Sequence, residues 1–154
     1  MKKFIYLSLV TGFGLGYSPF APGTCGSLPG FILVFLLQGL AWYVQIALIL
    51  LAFFFGVWLS NQTACWFDEK DPKAVTIDEI VSLPITFFLI PLTPVTLAIG
   101  FVLNRILDII KPAPAYKSQS LKGGWGIMTD DLISSIYSNI LMHIIVIYVL
   151  KISF

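Results

Sequence analysis

Long apolar segments, separated by short breaks of glycine, proline or charge, organise this chain of 154 residues. Neither Asp, Glu, Lys nor Arg occurs from Phe4 to Phe67, and the later charges cluster at the borders of apolar segments. Glycine, proline and charge clusters commonly end helices or form turns, so they divide the chain into candidate elements. Five apolar segments result: Leu28–Leu40, Trp42–Phe67, Ile77–Ile90, Thr93–Ile110 and Asp131–Leu150.

The lengths of these segments favour helices in a bilayer. A helix needs about 20 residues to cross the hydrocarbon layer, and the second segment is long enough to cross with tilt. The first and third segments are too short to cross upright, so we expect them to be tilted, re-entrant or partly interfacial. The pattern predicts an all-α fold, a polytopic membrane helical bundle that forms a single domain over residues 1–154.

Composition indicates the same environment. Hydrophobic residues make up 58% of the chain and charged residues 11%, with a mean hydropathy of +0.93, whereas apolar residues are roughly 45–50% of a typical soluble domain. A net charge of +1 argues against a nucleic-acid partner, since such domains carry a basic stripe. Cys25 and Cys65 match no metal spacing, so we expect no disulfide, and we expect no cleaved signal peptide.

The distribution of lysine predicts an orientation. If the first two segments form one hairpin and the next two another, the N-terminus and residues 68–76 and 111–130 emerge on one side. Seven lysines and all eight carboxylates then lie on that side, against Lys151 alone on the other. Because lysine-rich loops stay in the cytoplasm, this arrangement predicts a multi-pass protein whose acidic residues face the cytoplasm.

The third segment begins with a pair of carboxylates, Asp78 and Glu79. Thr76 and Glu79 have the spacing of a capping box, in which each side chain accepts a hydrogen bond from the other residue's backbone N–H. That structural interpretation accounts for Glu79 and leaves Asp78 unexplained, although any carboxylate in a first turn gains from the helix dipole. From this pair alone, the structural interpretation is favoured over a functional one.

Arg105 and Asp108 stand three positions apart on the fourth segment, with Asn104 on the same stripe. An ion pair within the helix is the structural explanation. Arg105 is the only arginine and lies inside an otherwise apolar helix, where a lysine would reach the interface equally well. Because a guanidinium suits a phosphate bidentately, a functional Arg105 is favoured.

A glycine-rich stretch leads into the last segment and ends in two adjacent carboxylates, Asp130 and Asp131. Gly123, Gly124 and Gly126 free the backbone to turn N–H groups toward an anion at a helix N-terminus. Thr129 or Asp130 is expected as the N-cap, which would explain one carboxylate but not two. Paired carboxylates beside a phosphate are the arrangement that Mg²⁺ uses with phosphate substrates.

Four stretches of the chain, taken together, resemble successive signature blocks of the phosphatidylglycerophosphatase A family. They read TGFGLGYSPFAPGTCGSLPG (11–30), TIDEIVSLP (76–84), NRILDIIKPAP (104–114) and GGWGIMTDDLISSIYSN (123–139). The resemblance covers residues 11 to 140 in order. Taken alone, the first block is weak, because glycine also allows close packing of membrane helices.

The resemblance implies a helical, Mg²⁺-dependent enzyme of the bacterial inner membrane that removes the terminal phosphate of phosphatidylglycerophosphate. It implicates seven residues in catalysis: Asp78, Glu79, Arg105, Asp108, Lys111, Asp130 and Asp131. We expect Mg²⁺ to be held by Asp78, Glu79, Asp130 and Asp131. The phosphate is expected at Arg105, Lys111, Gly123, Gly124 and Gly126. A carboxylate nucleophile and a metal-bound water both remain possible.

Other phosphatase chemistries find no support in the residues. Neither cysteine begins a Cys-x₅-Arg loop, His143 is the only histidine, and no Asp-x-Asp occurs. Two alternatives remain: another metal-dependent lipid-headgroup enzyme, such as a small lipid kinase, or a non-enzymatic transporter or scaffold with an intramembrane ion network. The expected partners are a phospholipid and the membrane, and the sequence does not report an oligomeric state.

Overall fold

The computed structural model describes residues 2–67 and 74–151, and these fold into helices with no strand among them. A 3₁₀ turn at Leu15–Tyr17 follows the first helix, another at Ala64–Trp66 follows α4, and a π-helical stretch at Ile145–Val149 extends the last helix. The α-helices are α1 (Lys2–Val10), α2 (Pro22–Ser27), α3 (Gly30–Leu37), α4 (Trp42–Thr63), α5 (Ile77–Thr86), α6 (Pro94–Ile110), α7 (Ala115–Ser118) and α8 (Gly124–Ile144).

The predicted all-α fold is confirmed, and the second and fourth segments match α4 and α6 closely. Thr93 caps α6 in a capping box with Thr96, and Pro94 occupies the first turn, where its missing N–H costs nothing. The start predicted for the last segment, Asp131, is wrong, because α8 begins at Gly124. Helix α1 was not among the predicted segments, since glycines interrupt its apolar run after Val10.

Two helices in the described residues are long and apolar enough to cross a membrane. They are Trp42–Trp66 and Gly124–Val149, each including its 3₁₀ or π extension. Together with the exposed apolar side chains along α4 and α8, such as Leu51 and Ile140, they indicate a membrane protein. Multiple crossings and the orientation stay predictions.

Helix α5 is the central element of the bundle, because it packs against α2, α3, α4, α6 and α8. Its side chains are almost all buried, and Ile77, Val81 and Leu83 contribute to the two hydrophobic clusters of the core. Pro84 lies inside the helix, which ends two residues later at Thr86. As a result, the first turn of α5 is enclosed by its neighbours, and that turn carries Asp78 and Glu79.

A buried polar network joins α5, α6 and α8. The Oδ1 atom of Asn104 accepts hydrogen bonds from Thr86 Oγ1 and Ser135 Oγ, both at 2.9 Å. All three residues are at most 2% exposed, so the bonds are costly to leave unmade. Asn104 precedes Arg105, and Ser135 follows Asp131 by one helical turn. The network therefore fixes the register of the helices that carry the predicted site.

Candidate active site

Glu79 does not form the predicted capping box. Thr76 is the N-cap of α5 but makes no side-chain capping bond, and its backbone N–H donates to Val10 O at 2.9 Å. The carboxylate of Glu79 lies instead 3.0 Å from Arg105 Nη1. The prediction was wrong because a buried carboxylate gains more from a cation on a neighbouring helix than from the weak dipole of a backbone N–H.

Arg105 connects two helices. Its Nη1 atom contacts Glu79 on α5, and its Nη2 atom lies 3.0 Å from Asp108 Oδ2 on its own helix. The predicted pair within α6 is therefore present, but it is half of a fork that also reaches α5. This arrangement uses both terminal nitrogens of the guanidinium. A lysine has a single ammonium nitrogen, so it could not reproduce the two contacts in the same geometry.

Lys111 extends the charged chain from α6 to α8. It ends α6 in the left-handed conformation, with φ 47°, and its Nζ donates to Asp130 Oδ2 at 2.5 Å and lies 3.8 Å from Asp108 Oδ1. Burial opposes its charge, but the hydrogen bond to Asp130 and the nearby carboxylates of Asp131 and Asp108 raise the pKa of Lys111 above its ordinary value. Lys111 therefore stays cationic at any physiological pH.

Gln119 is a site residue that sequence reasoning missed. Its Nε2 donates to Asp130 Oδ2 at 3.0 Å, so Asp130 receives one bond from α6 and one from the segment after α7. Nothing in the local sequence marks Gln119, because it sits among polar residues typical of any loop. Only its approach to Asp130 identifies it.

Asp131 lies at the centre of the acidic residues. It is 3% exposed, lies within hydrogen-bonding reach of Asp108, and is close to Asp78 and Asp130. Arg105 is near enough to attract it. Two carboxylates this close need a proton or a cation between them. The structure thus brings all seven predicted catalytic residues together, from α5, α6, the end of α6 and α8.

In the described part of the chain, acidic side chains outnumber basic ones in this cluster. Ion pairs join Glu79, Asp108 and Asp130 to Arg105 and Lys111, and Asp78 and Asp131 lie beside them. One buried oxygen of Glu79 and one of Asp130 make no hydrogen bond within the described structure. Hard divalent cations bind carboxylate oxygens, and burying carboxylates is costly unless a cation compensates their charge. A group of buried acidic side chains such as this one therefore suits a divalent cation.

The carboxylates meet in pairs and with cationic partners. Among residues 2–67 and 74–151, no three His, Cys, Asp or Glu side chains are grouped so that they could hold a metal ion as they stand. Glu79 faces Arg105, and Asp130 faces Lys111 and Gln119. The donor type and charge fit a divalent cation, and binding one would require carboxylates to exchange partners. The predicted metal ligands stay a prediction.

The glycines before α8 are used for packing and capping. Gly123, with φ 60°, is the N-cap of α8, so the predicted N-caps Thr129 and Asp130 are wrong. The Gly124 N–H donates to Asn61 Oδ1 at 2.8 Å, and the Gly126 N–H donates to the Gly123 carbonyl at 3.0 Å. These two amides already have acceptors. Phosphate binding by Gly123, Gly124 and Gly126 stays a prediction.

The first glycine-rich block forms a wall of the cluster. Gly23 in α2 lies so close to the ion pair that a Cβ atom there would overlap Glu79 Oε1 and sit 2.9 Å from Arg105 Nη2. Gly26 and Gly12 are packed in the same way against Thr76 at the start of α5. A side chain at any of these positions would push the glycine-rich segment away from α5.

We expect Gly23→Ala to lower phosphatase activity about tenfold or more, because the added methyl displaces the Glu79 carboxylate or the Arg105 guanidinium. The measurement is kcat/KM of purified protein in detergent. Gly14→Ala is the control within the same glycine-rich segment: its added methyl would meet open space, and its φ of +89° makes alanine more strained there than at Gly23. Equal losses in both variants would attribute the effect to a general disturbance of this segment and not to contact with Glu79 and Arg105.

The sequence model of the phosphatidylglycerophosphatase A family matches residues 8–146. The chain belongs to this family. All seven acidic and basic residues of the cluster lie within the matched range. Family membership identifies the chain as an enzyme of the phosphatase class. It therefore favours the phosphatase hypothesis over the transporter, scaffold and lipid kinase that the sequence left as alternatives.

Two individual relatives carry the name of this family, and a third is named for a different substrate. The chain is 35% identical over 139 residues to phosphatidylglycerophosphatase A of Escherichia coli, covering 89% of this chain and 81% of the relative. It is 37% identical over 140 residues to that of Haemophilus influenzae, covering 89% and 86%. A putative phosphatidylinositol-3-phosphatase of Bacteroides thetaiotaomicron is 39% identical over 156 residues, covering 94% and 96%. No solved structure matches the chain significantly.

Proposed function

We propose that this enzyme hydrolyses phosphatidylglycerophosphate to phosphatidylglycerol and inorganic phosphate, with Mg²⁺, at the cytoplasmic face of the inner membrane. The observation that carries the proposal is the cluster of five carboxylates around Arg105 and Lys111, where α5, α6 and α8 meet in a member of this family. A lipid phosphatase needs such a site beside apolar helices, because its substrate never leaves the bilayer.

Arg105 and Lys111 are the groups that would bind the terminal phosphate. Their side chains are 15% and 22% exposed, so they are open enough to be reached and dry enough for their charges to act strongly. A phosphate dianion would compete with Glu79, Asp108 and Asp130 for these two cations. Both cations hold their partners through exchangeable ion pairs, and the guanidinium can offer two N–H groups to one phosphate.

The excess negative charge is the reason for proposing a cation. Among the described residues, five carboxylates outnumber the two cationic side chains beside them, and a dianionic phosphate would be repelled by that acidic surrounding. When bound, Mg²⁺ supplies neutralisation of that charge and activates an attacking group. We propose Asp131 and Asp78 as its first ligands, because the two carboxylates are close enough to repel each other, and Asp108 lies beside Asp131. Glu79 and Asp130 complete the proposed ligand set if they release Arg105 and Lys111 to the phosphate.

We also propose that Asp131 takes part in proton transfer. Its proximity to Asp108 means that the pair can share one proton. A carboxylate that exchanges a proton with a neighbour can take one from a water nucleophile, and a carboxylate in the same position can itself attack phosphorus. Trapping of an acid-labile phosphoenzyme would distinguish attack by a carboxylate from attack by water.

Phosphatidylinositol-3-phosphate is the second candidate substrate. The relative from Bacteroides thetaiotaomicron, whose name carries that activity, matches this chain over nearly its whole length at 39% identity. Both lipids present a phosphate monoester on an alcohol of a polar headgroup, so the charged cluster suits either. They differ in the bulk of that alcohol, a small glycerol in one and an inositol ring in the other.

Release of inorganic phosphate from each lipid by purified protein tests the proposal. We expect phosphate from phosphatidylglycerophosphate without any nucleotide, loss of activity with EDTA, and its return with Mg²⁺. Phosphatidylinositol-3-phosphate is assayed in the same mixed micelles, and Asp131→Asn protein controls for contaminating phosphatases. Faster release from the inositol lipid would replace the proposed substrate, and activity unaffected by EDTA would contradict the role of Mg²⁺.

A further inference from the structure

Two donors share one oxygen of the Asp130 carboxylate. Lys111 Nζ and Gln119 Nε2 both donate to Oδ2, at 2.5 and 3.0 Å. The other oxygen, Oδ1, is buried and makes no hydrogen bond in the described part of the chain. Asp130 is only 2% exposed, so water compensates its charge very little. Among the described residues, its negative charge is therefore stabilised mainly by Lys111 and Gln119.

The two donors differ in what else they can bind. The Lys111 ammonium is charged, its side chain is 22% exposed, and it is one of the two cations proposed to bind the phosphate. Gln119 is neutral and half-buried, and a hydrogen bond from an uncharged amide to a phosphate is weaker than one from an ammonium. A phosphate would therefore attract Lys111 away from Asp130 and leave Gln119 in place.

The segment that carries Gln119 is anchored on α8, which also carries the carboxylate that it contacts. A Cβ atom added at Gly126 would lie 2.6 Å from the Leu121 carbonyl oxygen and 3.1 Å from that of Gln119, so this close approach requires a glycine. Further along the same helix, Tyr137 Oη donates to the Ala113 carbonyl at 3.0 Å. The carboxylate lies between these two anchors along α8. The backbone of Gln119 is thereby held in place relative to its acceptor.

We propose that Gln119 is a positioning residue, which keeps the buried Asp130 carboxylate hydrogen-bonded while Lys111 moves to the phosphate of the substrate. The proposal rests on the proposed function, because it needs a phosphate at Lys111. Two donors on one oxygen compete, so the amide contributes least while Lys111 is bound there and most after Lys111 has left. Without Gln119, the transfer would leave a buried carboxylate with no described donor, which costs more free energy. Gln119 therefore strengthens phosphate binding without contacting the phosphate.

Gln119→Met tests this role, because methionine has a similar length and no donor. We expect the Kd for inorganic phosphate, measured by titration calorimetry of purified protein in detergent with Mg²⁺, to rise about tenfold. Gln119→Lys again offers a donor to Asp130 and should bind phosphate at least as tightly as the unmodified protein. Ser120→Met is the matched control: Ser120 is exposed and its hydroxyl donates to the Lys117 carbonyl, so Kd should stay within about twofold.

A double variant separates a donor to Asp130 from a cation merely added nearby. Gln119→Met combined with Ser120→Lys should bind phosphate as weakly as Gln119→Met alone, because position 120 makes no contact with Asp130 in the described structure. Recovery of phosphate binding in this double variant would overturn the proposal, since a general increase in positive charge would then be sufficient.

The Asp130→Asn background shows whether Gln119 acts through Asp130. With that charge removed, Lys111 is released at little cost, and Gln119→Met should change Kd less than twofold. A tenfold rise that persists in Asp130→Asn would mean that Gln119 acts on the phosphate directly, and an unchanged Kd in Gln119→Met alone would mean that it only anchors its segment. Either result would overturn the proposal.

Phosphate binding requires no turnover, so these measurements are separate from the test of the reaction. A protein that shows the expected pattern of Kd values but hydrolyses neither lipid would contradict the proposed function and support the role of Gln119. A protein that hydrolyses phosphatidylglycerophosphate with the same KM and the same phosphate Kd in Gln119→Met would support the proposed function and overturn that role.

Discussion

Asp131→Asn is expected to lower kcat by about 10³-fold or more, a loss of roughly 4 kcal/mol of transition-state stabilisation. Asp131 is buried at the centre of the cluster, next to Asp78 and Asp108. Asparagine keeps its shape but removes the charge that would hold a cation or accept a proton. The change is measured as phosphate released from phosphatidylglycerophosphate at saturating substrate and Mg²⁺.

Two comparisons separate chemistry from folding in this variant. The circular dichroism and membrane insertion of Asp131→Asn should match those of the unmodified protein, since removing a charge from an acidic cluster relieves repulsion. Asp131→Glu retains the charge and should recover part of the activity, particularly at raised Mg²⁺. Full activity in Asp131→Asn would remove Asp131 from the catalytic set.

Arg105→Lys is expected to reduce kcat/KM by about 10²-fold or more, despite keeping the positive charge. The guanidinium reaches Glu79 with one nitrogen and Asp108 with the other, at 3.0 Å each. The single ammonium nitrogen of lysine cannot contact Glu79 on α5 and Asp108 on α6 in the same planar geometry. It also binds a phosphate through one nitrogen, whereas arginine can donate from two. Steady-state kinetics on phosphatidylglycerophosphate give the size of the loss.

Inhibition by orthophosphate distinguishes the two roles of Arg105. If Arg105 binds the phosphate, the inhibition constant should rise several-fold in Arg105→Lys, whereas a purely structural role would lower kcat and leave that constant unchanged. Lys117→Gln is the control for loss of a nearby cation. Lys117 follows Lys111 in the sequence, but it is exposed and lies outside the charged cluster. An inhibition constant that stays constant in Arg105→Lys would assign phosphate binding to Lys111 alone.

Residue chemistry in the sequence was sufficient to select the charged residues that the structure brings together. Asp78, Glu79, Asp108, Asp130 and Asp131 stand out because carboxylates are rare in an apolar chain, and Arg105 because it is the only arginine. The contacts that these residues make could not be predicted from the sequence. The spacing of Thr76 and Glu79 fits a capping box, but the structure shows no such box. Local spacing carries no information about Arg105, which α6 places 3.0 Å from Glu79.

Sequence by itself determined the helical fold, the bounds of α4 and α6 and the membership of the charged cluster, because apolar periodicity, proline and rare charges act locally. Tertiary structure decided which charges pair, that Gln119 and Gly23 contact the charged cluster, and that α8 starts at Gly124. These features depend on contacts between residues far apart in the chain. Such contacts are set by the packing of α5 among its neighbours, which no local pattern encodes.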